Sequence, residues 1–276
     1  MKQKTVFTYQ HYRYLKLSAA LLVLSVIAYF WHQPDITPNG GTWLGYVLGT
    51  IGALLILLLL AYGIRKRSYQ SSLGRVQGWL SAHIYLGTSL IIIATLHTGF
   101  EFGINVHTLA YVLMMAVIAS GFWGMYFYMR NPARMSAALR GETLEQHLLA
   151  IEEIDNECRG LAMNHVDHIN RTLMDSINAP LFESFWQQFT GHNPRCRTAA
   201  VATILGQVAP GLSEAQTRIN AELYRLQLQK LSRLGRLRSY TRQKTWLDAW
   251  LMLHVPLSVA LLAALTAHIV SVFFYW

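Results

Sequence analysis

Charge and cysteine are both scarce in this chain, and each shortage narrows its chemistry. Of 276 residues, 13% are charged and 53% hydrophobic, and mean hydropathy is +0.27. That balance excludes an ordinary soluble domain. The two cysteines, Cys158 and Cys196, belong to no C-x-x-C-H, so covalent c-type heme attachment is excluded. No cysteine run is present to hold an iron–sulfur cluster. Both thiols fall in a stretch predicted to be cytoplasmic and are expected to stay reduced. Lys and Arg are missing from two loops, 33–42 and 100–106. Internal repeats and low-complexity tracts are also absent.

Long apolar runs take up the space that charge leaves. Five have the length and composition of membrane spans, at about 15–32, 43–63, 79–99, 107–129 and 247–275. The first is followed at once by Trp31, His32 and Gln33, with no small-residue cleavage pattern, and reads as a retained span. Cations cluster before the first span (Lys2, Lys4, Arg13, Lys16), after the second (Arg65, Lys66, Arg67, Arg75) and after the fourth (Arg130, Arg134, Arg140). The positive-inside rule then places the N-terminus in the cytoplasm and the C-terminus outside, as in a bacterial inner-membrane protein. This bias and a basic juxtamembrane stretch account for most of the net charge of +9, so nucleic acid is not an expected partner.

The expected architecture is an all-α integral membrane protein in three parts. Residues 1–129 supply four spans, 130–245 a helical cytoplasmic insert, and 246–276 the fifth span. The insert lacks strand-like alternation and reads as helices broken near Ala179-Pro180, Asn193-Pro194 and Pro210-Gly211. Ser213 and Gln216 form a capping-box pattern. The helix they open carries Ile219, Leu223, Leu226, Leu231, Leu234 and Leu237 together with Arg225, Lys230, Arg233, Arg236, Arg238, Arg242 and Lys244. A basic amphipathic helix meeting a span is expected to lie on the lipid surface.

Two pairs of histidines sit inside the third and fifth spans, each pair fourteen residues apart: His83 with His97, and His254 with His268. Fourteen steps of a helix leave the second side chain about 40° from the first and about 21 Å along the axis. Histidine in a lipid-embedded helix is costly and usually marks function. By the charge rule the two spans run in the same direction, so the expected pairs are His83 with His254 and His97 with His268. Two opposed imidazoles per level suit the axial positions of a six-coordinate heme iron, whereas zinc would need four ligands gathered at one point. The expected cofactors are therefore two heme b, held for one-electron transfer.

Glycines fit either a macrocycle close to the backbone or tight helix packing. Gly45, Gly49, Gly52 and Gly63 lie in the second span, and Gly121 and Gly124 in the fourth. Gly49, Gly63 and Gly121 are the candidates for cofactor contact. Arg65, Lys66, Arg67, Arg75, Arg242 and Lys244 are candidates for heme propionates, besides their role in topology.

The four histidines resemble the ligand set of the membrane diheme b-type cytochromes. That superfamily includes the cytochrome b of quinol–cytochrome c oxidoreductases and the cytochrome b subunits of hydrogenases. The resemblance covers the second to fifth spans, about half the chain. It implies a four-helix bundle with ligands from two helices and paired glycines on those between, the first span being an addition. The chain departs from relatives of this kind in three ways. It has no Pro-Glu-Trp-Tyr-type quinol motif and no nicotinamide or flavin domain after the spans, and a long insert precedes the last span.

His107 opens the fourth span close to Glu101, and this pair is a candidate quinone or proton site. His165 and His168 have metal-compatible spacing but read as a surface helix. Trp246, Trp250, Phe273, Phe274, Tyr275 and Trp276 fit interfacial aromatic belts. The expected function is transmembrane electron transfer, as a subunit of an oxidoreductase rather than a stand-alone enzyme. Its expected partners are membrane lipid, quinone, and a redox subunit such as a multiheme cytochrome or hydrogenase. The rivals are a transporter or proton channel lined by histidine, and a membrane sensor or scaffold. The first would call for more intramembrane Asp, Glu or Lys. The second would call for an output domain.

Overall fold

The computed structural model describes residues 6–32, 39–68, 72–163, 167–182, 184–207 and 213–274, with the side chain of Pro132 set aside. Lys2, Lys4, Gln33, His165, Pro210, Gly211, Tyr275 and Trp276, named above, lie outside the described residues. Every regular element among the described residues is helical. After a 3-10 turn, Val6–Thr8, come α1 (Arg13–Trp31), α2 (Trp43–Arg67), α3 (Val76–Thr98) and α4 (Val106–Leu139). Then follow α5 (Leu144–Ala162), α6 (Asp167–Ile177), α7 (Phe185–Thr190), α8 (Arg197–Gly206) and α9 (Glu214–Phe274). Five of the helices are long and apolar enough to cross a membrane, namely α1 to α4 and α9. At 1.5 Å per residue, the 23 residues of α3 reach about 35 Å, more than the hydrocarbon core of a bilayer.

The chain divides into two compact units, Met1–Phe122 with Met252–Trp276, and Trp123–Leu251. The second brackets the predicted insert. In the first unit, Leu44, Leu48, Leu55 and Ile56 of α2 pack with Leu86, Leu90 and Ile93 of α3, Met114 of α4 and Leu261 of α9. Small residues allow the close approach that helices need in lipid. Ser81 and Ser89 are buried on α3, and Ser18 and Ser25 on α1. Both α1 hydroxyls bond back to their own helix, at the carbonyls of Leu15 and Leu21, and so leave no polar group unmet in an apolar setting. Val23, Leu24, Ile27 and Phe30 of α1 are exposed, as a lipid-facing surface would be.

In the second unit, Thr143 and Gln146 cap α5 reciprocally. The expected box at Ser213 and Gln216 also forms, with both of its hydrogen bonds present. The loops at Ala179-Pro180 and Asn193-Pro194 separate α6, α7 and α8, where proline was expected to break the chain. The apolar stripe of the helix opened at Ser213, expected to face lipid, packs on other helices of the second unit. Its Leu223 and Leu226 are fully buried with Ile154 and Cys158 of α5, Leu173 of α6, and Val201 and Leu205 of α8. The apolar stripe is covered by protein. Lys230 is buried with it, its Nζ 2.6 Å from Asp155 Oδ1 and 3.1 Å from the Ser176 carbonyl. α9 runs through 245–246 without interruption, so the insert and the fifth span share one helix.

Candidate functional site

On α3, His83, Leu86, Leu90, Ile93 and His97 follow one another by three or four residues and so share a face. On α9, His254, Leu261, Leu265 and His268 also share a face, the first step being two turns and the others one. Leu90, Ile93 and Leu261 belong to one buried cluster, and Leu265 packs against it. Each helix therefore carries its histidines at the two ends of a stripe that the core holds in place.

At the first level, the rings of His97 and His268 have centroids 6.0 Å apart and planes inclined at 85°. Two imidazoles sharing one metal through bonds of about 2 Å place their centroids about 6 Å apart. At the second level, His83 and His254 are electrostatic neighbours.

Each of the four rings is held through Nδ1. His97 Nδ1 lies 2.7 Å from the Gly45 carbonyl, and His83 Nδ1 3.1 Å from the Leu59 carbonyl. A carbonyl only accepts, so Nδ1 carries the proton in both rings and Nε2 the lone pair. His254 Nδ1 lies 2.7 Å from Ser120 Oγ. The Ser120 hydroxyl donates to the Val117 carbonyl at 2.7 Å, which leaves its oxygen to accept from His254. The fourth ring, His268, meets His107 through Nδ1 on both sides, with centroids 4.6 Å apart. Metal-binding histidines characteristically fix the far nitrogen in this way, which sets both tautomer and ring orientation.

Glycine admits one ring directly. A Cβ on Gly49 would lie 2.7 Å from His97 Cε1, closer than side chains tolerate. Gly121 meets His254 Cε1 at an ordinary 3.8 Å, and Gly63 has no atom within 4 Å of where a Cβ would be. Gly124 serves helix packing, since a Cβ there would overlap the Trp250 indole.

A cavity of about 720 Å³ opens beside the first level. That volume falls among cofactor and small-molecule sites, at about 300–1,000 Å³. Its walls include Gly49, His97, Glu101, His107, Tyr111 and His268. Glu101 and His107, paired from the sequence, thus border one space, while His107 also buttresses His268. Tyr111 is fixed there by a 2.9 Å hydrogen bond to Thr95, which itself donates to the Ile91 carbonyl.

Several cations expected near propionates are engaged elsewhere. Arg65 donates to the carbonyls of Ser68 and Gly74, closing the α2–α3 connection. Lys244 pairs with Asp248 at 2.7 Å, and Arg242 reaches the Thr190 carbonyl. No group of three or more His, Cys, Asp or Glu disposed to hold a metal ion occurs among the described residues.

The Leu59 and Gly45 carbonyls, Ser120, and Tyr62, whose ring stands 5.1 Å from His83, were not singled out from the sequence. Gly45 was named there only as a small residue, and Ser120 stands beside the candidate Gly121. No family model, curated protein or solved structure matches the chain.

Proposed function

We propose that the chain is a membrane diheme b-type cytochrome that carries electrons across the bilayer as a subunit of an oxidoreductase. His83 and His254 would hold one heme b, and His97 and His268 the other. The observation that carries this reading is the 6.0 Å opposition of His97 and His268, each with Nδ1 already engaged. One-electron exchange is the chemistry that such a group would supply when bound.

The chain's own part is to hold and orient. The Gly45 and Leu59 carbonyls and Ser120 keep three rings in the tautomer that presents Nε2. Gly49 leaves room for the His97 ring. The Leu86–Leu90–Ile93 stripe keeps water from the space between the two levels, which lie about 21 Å apart along each helix. Glu101 and His107 border the cavity and would exchange protons with a quinone bound there. In this reading the N-terminus lies in the cytoplasm of a bacterial cell, the C-terminus outside the inner membrane, and a redox subunit such as a multiheme cytochrome or hydrogenase completes the circuit.

Heme quantification on detergent-purified protein, with reduced-minus-oxidised spectra, tests the proposal. About two b-type hemes per chain are expected. A monodisperse, helical preparation from heme-replete cells that contains no heme overturns it.

A further inference from the structure

The six residues of α7, Phe-Trp-Gln-Gln-Phe-Thr, carry no charge and hold three aromatic rings. The chain stays uncharged from Ser184 to Asn193, apart from His192. Phe189 faces inward. Its ring meets Trp246 edge-on at 5.3 Å, and its carbonyl accepts the Trp246 indole N–H at 3.2 Å. Trp246 in turn stacks on Phe127, centroids 5.7 Å apart and planes within 6°. Phe127 lies near the end of the apolar part of α4, and Trp246 near the start of the apolar part of α9. The short helix is thus fastened at the level where both spans change from apolar to basic sequence.

Phe185 and Trp186 flank the Phe189 ring, with centroids 5.2 and 6.0 Å from it, and stay 62% and 73% exposed. Trp123, Tyr126 and Tyr128 of α4 are exposed as well. Exposed Trp and Tyr at the end of a span form the belt that sits among lipid headgroups. Arg130 lies over the Tyr126 ring at 5.1 Å, as a cation would at that depth. Behind α7, Gly191 turns the chain at φ +69°, and Arg242 packs on it while donating to the Thr190 carbonyl at 3.4 Å. An uncharged aromatic face bordered by arginine matches the chemistry of a phospholipid surface, apolar below and anionic above.

We propose that α7 is an interfacial membrane anchor, with Phe185 and Trp186 seated at the boundary between headgroups and acyl chains. It takes the place that the basic half of α9 was expected to fill. The occupant of this face is lipid because the ring ladder Phe189–Trp246–Phe127 is continuous with the membrane-spanning parts of α4 and α9.

The test places a nitroxide label at Trp186→Cys, at Phe185→Cys and, as a control, at Arg218→Cys. Arg218 is an exposed residue of α9 twenty-eight positions before Trp246, about 42 Å along the helix. Labelled parent protein, whose two cysteines are buried, gives the background. Full-length protein in phosphatidylcholine–phosphatidylglycerol nanodiscs is exposed to oxygen, which concentrates in lipid, and to a water-soluble nickel chelate. At 185 and 186 oxygen collisions should exceed nickel collisions, with the order reversed at 218. Nickel access at both 185 and 186 equal to that at 218 overturns the proposal. So does protection from both reagents, which would mean burial in protein. Heme content does not enter this readout, so it stands or fails apart from the electron-transfer proposal.

Discussion

Gly49 and His97 lie against each other so closely that a Cβ on residue 49 would sit 2.7 Å from the imidazole Cε1 and 3.0 Å from Nδ1. The ring is also tied to the Gly45 carbonyl one turn earlier on α2, at 2.7 Å. It is therefore wedged between the backbone and its hydrogen-bond acceptor. Gly49→Ala should push the ring off that acceptor and away from His268. The expected result is loss of up to half of the heme, with the His83–His254 level kept. Gly235→Ala, on α9 in the second unit, is the control. Its Cβ would enter open space, so heme content should match the parent. Pyridine hemochrome assays on the two variants check both outcomes.

The histidine levels should also separate by direct deletion. His97→Ala removes a ligand from one level and His254→Ala from the other. Each variant is expected to keep about half of the heme, with distinct midpoint potentials for the half that remains. If either variant bound both hemes at parental potentials, the ligand assignment would be wrong.

Ser120 holds His254 by accepting its Nδ1–H while donating to Val117. Ser120→Ala keeps the ligand and removes only its support. Loss of such a partner typically weakens metal binding about 10–100-fold. Heme at the His83–His254 level should dissociate more readily to apomyoglobin, and the other level should be unaffected. Ser120→Thr, which retains the hydroxyl, should restore most of the affinity.

Much of this arrangement was legible in the sequence, for particular reasons. Apolar runs of about twenty residues have one stable outcome in lipid, so the five spans were readable from length alone. The fourteen-residue interval placed His83 and His97 on one face because helix geometry is fixed. The acceptors of those rings were not legible, because every residue carries a carbonyl. Only the packing of α2 on α3 selects Gly45 and Leu59. The fate of the basic half of α9 was unreadable for a different reason. Leu223 and Leu226 make the same periodic stripe whether lipid or α5 and α8 cover them. Six-residue α7 is too short to show a period, and Phe189 gains its role only through Trp246, fifty-seven positions away.

Cys158 should be chemically quiet. It is fully buried, and burial pushes its thiol above the ordinary range, against a hydrogen bond from Gln227 that favours the thiolate. Only the thiolate attacks alkylating reagents. Iodoacetamide at neutral pH should leave Cys158 unmodified in folded protein and modify it readily in denaturant, as read by peptide mass spectrometry. Rapid labelling of the native chain would show that the packing of α5 against α9 opens easily.

Asp155 and Lys230 offer the strongest test of the second unit. They pair at 2.6 Å with both side chains largely withdrawn from water. Removing one charge strands the other, so Asp155→Leu should cost about 3–5 kcal/mol. The double variant Asp155→Leu/Lys230→Met strands neither and should recover most of that loss, because a buried ion pair adds little over packed apolar groups. The titration of Asp155 reports the other side of the balance, the cost of burying its charge. Burial holds its carboxyl above the ordinary range, and Lys230 only partly opposes this. As pH falls, the native state takes up this proton before the unfolded chain does. The contribution of Asp155 to stability is therefore largest below its ordinary value near 3.8 and is lost as pH rises through the elevated one. Thermal unfolding followed by circular dichroism from pH 4 to pH 7 should show this component in the parent and not in the double variant. If the single and double variants lost equal stability, the pair would be contributing more than charge compensation, and the α5–α9 packing would depend on the bridge itself.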